Sequence, residues 1–291
     1  MEDEWYQLFE AKFRGSEASI KNRLKIYLPF IKPLFKLYPD GQVLDIGCGR
    51  GEWLDLLTDE GIKTVGLDVN VAFTRYCQQK KLTVIEENVL TFLQKQKADS
   101  WLIISAFHVV EHLSFDDLQQ LIKEAYRVLQ PGGLFILETP NPDNLRVANV
   151  TFWFDPTHKR LLPKELLAFL IEQNFYRHKI LGLNESKASF SDGIRWSELC
   201  AAVSPDYAIV CQKVGDKKII HLVDEAFKNK YGVTFEEVLE HYENGRQKEL
   251  LALESRIQKL EKEIIRIRRS YGIIVLLKRI YSHKFWKFKR Q

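Results

Sequence analysis

Two short stretches gather the residue types that move protons or hold anions. In FHVVEHL, His108, Glu111 and His112 lie within five positions; in FDPTHKR, Asp155, His158 and Arg160 lie within six. A histidine can take a proton from an acceptor hydroxyl near neutral pH, a carboxylate can orient it, and an arginine can position an anionic group. This makes His112, Glu111, His158 and Asp155 the candidate catalytic groups, and His108 and Arg160 candidate acceptor contacts. Glu111 and His112 are adjacent, so only one can point straight at a given spot, and Glu111 could equally cap or orient the neighbouring helix. Phe152, Trp153 and Phe154 run just ahead of the charges of FDPTHKR. Exposed aromatics are costly without a partner, which predicts a lid over a crevice rather than a generic loop. Cys48, Cys77, Cys200 and Cys211 have neither paired nor metal-type spacing, so reduced thiols and no metal centre are expected.

A ligand pocket is signalled earlier, in VLDIGCGRG, Val43 to Gly51. An apolar run meets Gly47, Gly49 and Gly51, which permit a tight turn and close approach of a ligand to the backbone. About twenty residues on, VGLDV ends in Asp68, where a carboxylate can accept hydrogen bonds from ribose hydroxyls. A further run ends in EENVL and offers Asn88 to an adenine amino group.

The elements that must position these residues alternate. QVLDIG, KTVGLDV, LTVIEENV, WLIISAF and LFILETP read as buried strands, and FYRHKILGLN and DYAIVCQKV supply two more. GEWLDLLTDEG, AFTRYCQQK and DDLQQLIKEAYRVLQPGG between them have helical spacing, with helix stops at Gly or Pro. Seven strands alternating with helices predict an α/β fold with a mostly parallel sheet. The hydrophobic content of 45% suffices for a substantial core.

The remainder differs in kind. Leu250, Leu253, Ile257, Leu260, Ile264, Ile267, Tyr271 and Ile274 alternate spacings of three and four, a heptad pattern that predicts a coiled coil joining two or three copies. A single amphipathic helix folded back on the domain is the alternative. From Arg266 onward there are nine Lys/Arg and no Asp/Glu, which leaves 34 bases against 39 acids in the rest, so the net charge of +4 belongs to the tail. KRIYSHKFWKFKRQ, basic and aromatic, suits an anionic membrane interface, and no nucleic-acid module is visible. The acidic start MEDEWYQLFE has no hydrophobic signal segment, so the expected location is the cytoplasm, at the inner face of the membrane. The expected domains are a helical cap (1–40), a core (41–214), a helical linker (215–247), the coiled coil (248–274) and the tail (275–291).

With VLDIGCGRG, GLDVN, ENVLTFL, FHVVEHL and RVLQPGGLFILETP in order, the sequence resembles a class I S-adenosylmethionine-dependent methyltransferase from about Lys21 to Val214. The resemblance implies a Rossmann-like doubly wound fold and S-adenosylmethionine as cofactor. It implies that Gly47 and Gly49 line the methionine portion, Asp68 holds the ribose, Asn88 and the Val89 amide meet the adenine, and Phe107 lies against the cofactor. NRLKIYL resembles a helix whose arginine, Arg23, pairs with the methionine carboxylate. FRGSEASIKNRLKIYLPFIKP, AFHVVEHLSF, ETPNPDNL and FDPTHKRLLP together resemble bacterial surface-polysaccharide enzymes that cap O-antigen chains. That narrower likeness implies a lipid-linked glycan acceptor and makes Arg14 a substrate contact. Alternative expectations are a small-molecule O-methyltransferase acting on a quinone-like compound, and a non-catalytic scaffold that binds the cofactor.

Overall fold

The computed structural model describes residues 12–175, 177–185 and 196–288. The first eleven residues of the expected cap and the last three of the tail lie outside them. Two compact units result, 1–188 with 197–238, and 189–196 with 239–291.

The first unit is built on a seven-stranded sheet of order β3-β2-β1-β4-β5-β7-β6. Its strands are β1 Gln42–Ile46, β2 Lys63–Asp68, β3 Val84–Glu86, β4 Trp101–Phe107, β5 Leu129–Pro140, β6 Arg177–Leu183 and β7 Asp206–Gln212. β1 to β5 pair in parallel, while β7 runs antiparallel between β5 and β6. Every residue of β4 is buried, as a central parallel strand covered on both faces must be. One apolar cluster packs Leu44, Ile104 and Phe135 under the helix Phe115–Val128 and the helix Lys164–Glu172. The other packs Val43, Ile103 and Ile136 with Tyr27, Phe30 and Leu34 of the N-terminal helices. Asparagines start three of the connections: Asn70, Asn88 and Asn144 each accept two backbone N–H groups of the helix that follows, satisfying donors that a helix start leaves unpaired.

Three expectations change. The stretch QPGG does not end a helix and open a loop; it belongs to β5, which begins at Leu129 and shifts register against β4 between Trp101 and Ile103. Gly132 accommodates this with φ of +76° and donates its N–H to the Val214 carbonyl. β3 is only three residues, because Asn88 already serves as a helix cap. The expected linker is in part core, since Ile219, Val223 and Ala226 are buried in the second cluster.

The second unit consists largely of the end of one helix, Phe235–Phe288. No helix among the described residues is long and apolar enough to cross a membrane.

Candidate active site

Two hollows open where the parallel strands end, and they share Gly47. The first, about 500 Å³, is lined by Arg14, Arg23, Gly47, Phe107, His108 and Glu138 among others. The second, about 540 Å³, is lined by Gly47, Asp68, Asn88, Val89, Val109 and His112 among others. Ligands of open α/β sheets bind at this edge.

The glycine turn shapes the shared wall. Gly47, Gly49 and Gly51 have φ of +65°, +52° and +78°, the left-handed region that suits glycine. A Cβ on Gly47 would meet Val109 Cγ2 at 2.5 Å, and one on Gly49 would meet Arg14 Nη1 at 2.9 Å. Asp68 accepts the Gly49 N–H at 2.9 Å and the Asn70 N–H at 2.8 Å, so its carboxylate ties the turn to the end of β2 while bordering the hollow. Beneath the turn, Asp45 accepts a hydrogen bond from the Ser105 hydroxyl at 2.7 Å, and burial pushes its carboxyl up to about 7.

In the first hollow, Phe107 packs against Tyr27 and Trp53, with ring centroids 5.2 and 5.5 Å away. His108 sits at φ +55°, an uncommon conformation for a residue with a Cβ. Its Nδ1 is 3.3 Å from Glu111 and its Nε2 3.4 Å from Glu138, whose other oxygen accepts from the Tyr27 hydroxyl. Burial pushes the imidazole down, but the two carboxylates outweigh it and hold His108 well above the ordinary range. Burial likewise pushes Glu111 and Glu138 up, and His108 brings both below the ordinary value. At neutral pH this network is an imidazolium between two carboxylates.

His112 shifts the other way. Burial lowers it, with the neighbouring His158 adding to the effect, so it is neutral at pH 7. The loop of FDPTHKR lies against it. The Thr157 hydroxyl donates to Asp155 Oδ1 at 2.6 Å and lies 2.9 Å from His112 Nδ1. With its own proton given to Asp155, Thr157 Oγ1 can only accept from the ring, so Nδ1 carries the proton and Nε2 carries the lone pair. His158 donates through Nδ1 to the Phe152 carbonyl at 2.6 Å and stacks on Phe152, its centroid 4.7 Å from that of His112.

The expected residues thus divide. Arg23, Gly47, Phe107 and His108 meet in one hollow with Arg14, and Asp68, Asn88, Val89 and His112 meet in the other. Gly49 and His158 line neither hollow, and four further residues differ from expectation. The Asn88 oxygen accepts from the Leu90 and Thr91 amides, so it caps a helix, and its amino group is the part left to face a ligand. Asp155 turns its carboxylate onto Thr157. Glu111 is fully buried, accepts from the Thr139 hydroxyl at 3.1 Å and faces His108, so it orients rather than reaches the crevice. Arg160 stacks over Phe115, 5.5 Å from the ring centroid, and lines neither hollow. Sequence reasoning missed Tyr27, Thr157 and Glu138. For Glu138 the sequence held part of a signal, its place near the carboxyl end of the run LFILETP, while its nearness to His108 comes only with the pairing of β4 and β5.

The donor set suits an adenosyl sulfonium compound: a cradle without side chains, a carboxylate at the end of β2, and arginines in the adjoining hollow. A family model described as a methyltransferase domain matches residues 20–176, more than half of the chain. The chain belongs to this family. A probable S-adenosylmethionine-dependent methyltransferase of Mycolicibacterium smegmatis is 34% identical over 45% of this chain and 49% of its own length; this chain therefore spans about half of that relative. A ubiquinone biosynthesis O-methyltransferase of a Bradyrhizobium strain is 27% identical over 60% of this chain and 71% of its own. The crystal structure of a SAM-dependent methyltransferase from Archaeoglobus fulgidus aligns with TM-score 0.61 and 30% identity, covering 72% of this chain and all of that one.

Proposed function

We propose that the chain is an S-adenosylmethionine-dependent O-methyltransferase of a small-molecule hydroxyl, with His112 as the base that receives the acceptor proton. One observation carries this reading: the chain Asp155–Thr157–His112 assigns the Nδ1 tautomer and leaves Nε2 as the basic nitrogen of a histidine that lines the same hollow as Asp68 and Val89.

The cofactor supplies a methyl group made electrophilic by a sulfonium. The protein's part is placement, exclusion of water and proton transfer. Asp68, the Val89 amide and the Asn88 amino group would hold the adenosine, and Gly47, Gly49 and Arg23 the methionine portion. Phe107, sealed by Tyr27 and Trp53, keeps water from the junction of the hollows. His112 Nε2 takes the hydroxyl proton as the oxygen gains the methyl group. In the first hollow the imidazolium of His108 is offset by Glu111 and Glu138, and Arg14 and Arg23 line the same hollow, where the methionine carboxylate of the cofactor would meet them.

The relatives reported above carry small-molecule or general names and none names a glycan, so the small-molecule reading replaces the expected capping of O-antigen chains. The test is transfer of labelled methyl to a panel of soluble phenols and carboxylic acids and, in parallel, to lipid-linked glycans. His112→Gln is expected to lower kcat by about 10²-fold or more with cofactor affinity retained. Full activity in that variant would remove the base; label found only in glycan would sink the small-molecule acceptor.

A further inference from the structure

Methyl transfer leaves the apolar stripe of the helix Phe235–Phe288 without a role. From Leu250 to Ile274 its residues at three- and four-residue spacing are between 47% and 68% exposed. An amphipathic helix normally buries such a face. We propose that this stripe pairs with the same stripe of a second copy of this chain.

The period of 3.5 matches two helices that supercoil about each other, whereas a helix lying on a flat surface needs no such period. Charge complementarity selects the partner. With Leu250 at position a and the helices parallel and in register, Arg256 (g) faces Glu261 (e) of the second copy, and Glu263 (g) faces Arg268 (e). One pair, Glu249 with Glu254, is repulsive and sits at the start of the stripe, where helix ends splay most easily. In an antiparallel pair g meets g and e meets e, and the register that sets Ile257 against Ile267 brings Arg256 to Glu263 and Glu261 to Arg268, so opposite charges flank the seam in either direction. A copy of the same helix therefore supplies both the apolar seam and the matching charges.

The experiment is light scattering of the full chain without lipid over a dilution series, with methyl transfer measured on each sample. The wild type is expected at an integer multiple of 34.1 kDa. Ile264 and Ile265 are both 52% exposed, but only Ile264 lies on the seam. Ile264→Asp should give monomer, while Ile265→Asp should keep the wild-type mass. Arg256→Glu should weaken association about fivefold; the double variant R256E/E261R should restore it if the helices run parallel, and R256E/E263R if they run antiparallel. A monomeric wild type that instead sediments with anionic vesicles would overturn the proposal in favour of a lipid surface. Equal loss from both isoleucine variants would overturn the seam, and failure of both double variants would overturn the charge pairing across it. Lost methyl transfer in a correctly assembled sample would count against the proposed reaction and leave the pairing intact.

Discussion

Asp45 shows how the site charges its surroundings. It is 2% exposed, and burial raises its carboxyl from 3.8 to about 7. A carboxyl raised in the folded state binds protons that the unfolded chain has released, so stability falls as pH rises from about 4 to about 7 and then levels. Asp45→Asn keeps an acceptor for Ser105 without the titration. Denaturant unfolding at pH 5 and pH 8 should show the variant gaining on the wild type at the higher pH, by at most about 3 kcal/mol; parallel behaviour at the two pH values would refute it. Thr157 makes a second residue-scale prediction. Thr157→Val removes the group that fixes the His112 tautomer, so kcat should fall about tenfold with KM little changed. Activity should also decline with acid through a pKa below 6.5, because His112 must be unprotonated and burial lowers it. A pH–rate profile in which the acid limb lies above 6.5 would remove His112 from that role. The sequence located His108, His112 and His158 because their side chains advertise the chemistry. It could not assign their partners: Thr157 looks like any loop hydroxyl, and Glu138 acquires its meaning only when β5 lies beside β4 and Tyr27 packs over both.

At the scale of elements, the turn between β1 and the helix Glu52–Asp59 concentrates the constraint. Gly47→Ala would put a methyl 2.5 Å from Val109 Cγ2 at φ +65°. The left-handed conformation alone costs about 1–2 kcal/mol, and relief requires Val109 to move in the wall of the second hollow. Calorimetric titration should show cofactor binding weakened at least tenfold, with circular dichroism preserved; undiminished affinity would mean that the turn is not the cradle. This turn was legible because glycine at alternate positions after a buried strand has few other uses, and the parallel strands were legible because burial on both faces makes their sequences continuously apolar. The short extent of β3 and the start of β5 were not. Three residues at a sheet edge give no periodicity, and QPGG carries stop signals that Gly132 overrides through its contact with Val214. Antiparallel insertion of β7 between β5 and β6 depends on pairing that no local pattern records.

For the whole molecule, burial divides the chain more sharply than composition does. Val238 is fully buried, whereas Leu239 and the large apolar side chains described from Leu250 to Leu277 are at least 37% exposed. Both apolar clusters draw their members from residues no later than Tyr231, so everything that shapes the hollows precedes the second unit. The basic excess lies in the opposite part of the chain, with nine Lys/Arg and no acid from Arg266 on. It follows that a chain ending at residue 238 should fold with the same near-ultraviolet circular dichroism, bind cofactor within about twofold of the full chain and unfold within a few degrees of it, because no buried apolar area is lost. It should also lose any self-association and any binding to anionic vesicles. Turnover on a soluble acceptor should survive the cut. If the shortened protein binds cofactor normally yet fails to turn over, the second unit contributes to the reaction itself; if it fails to fold, the division at residue 238 is wrong.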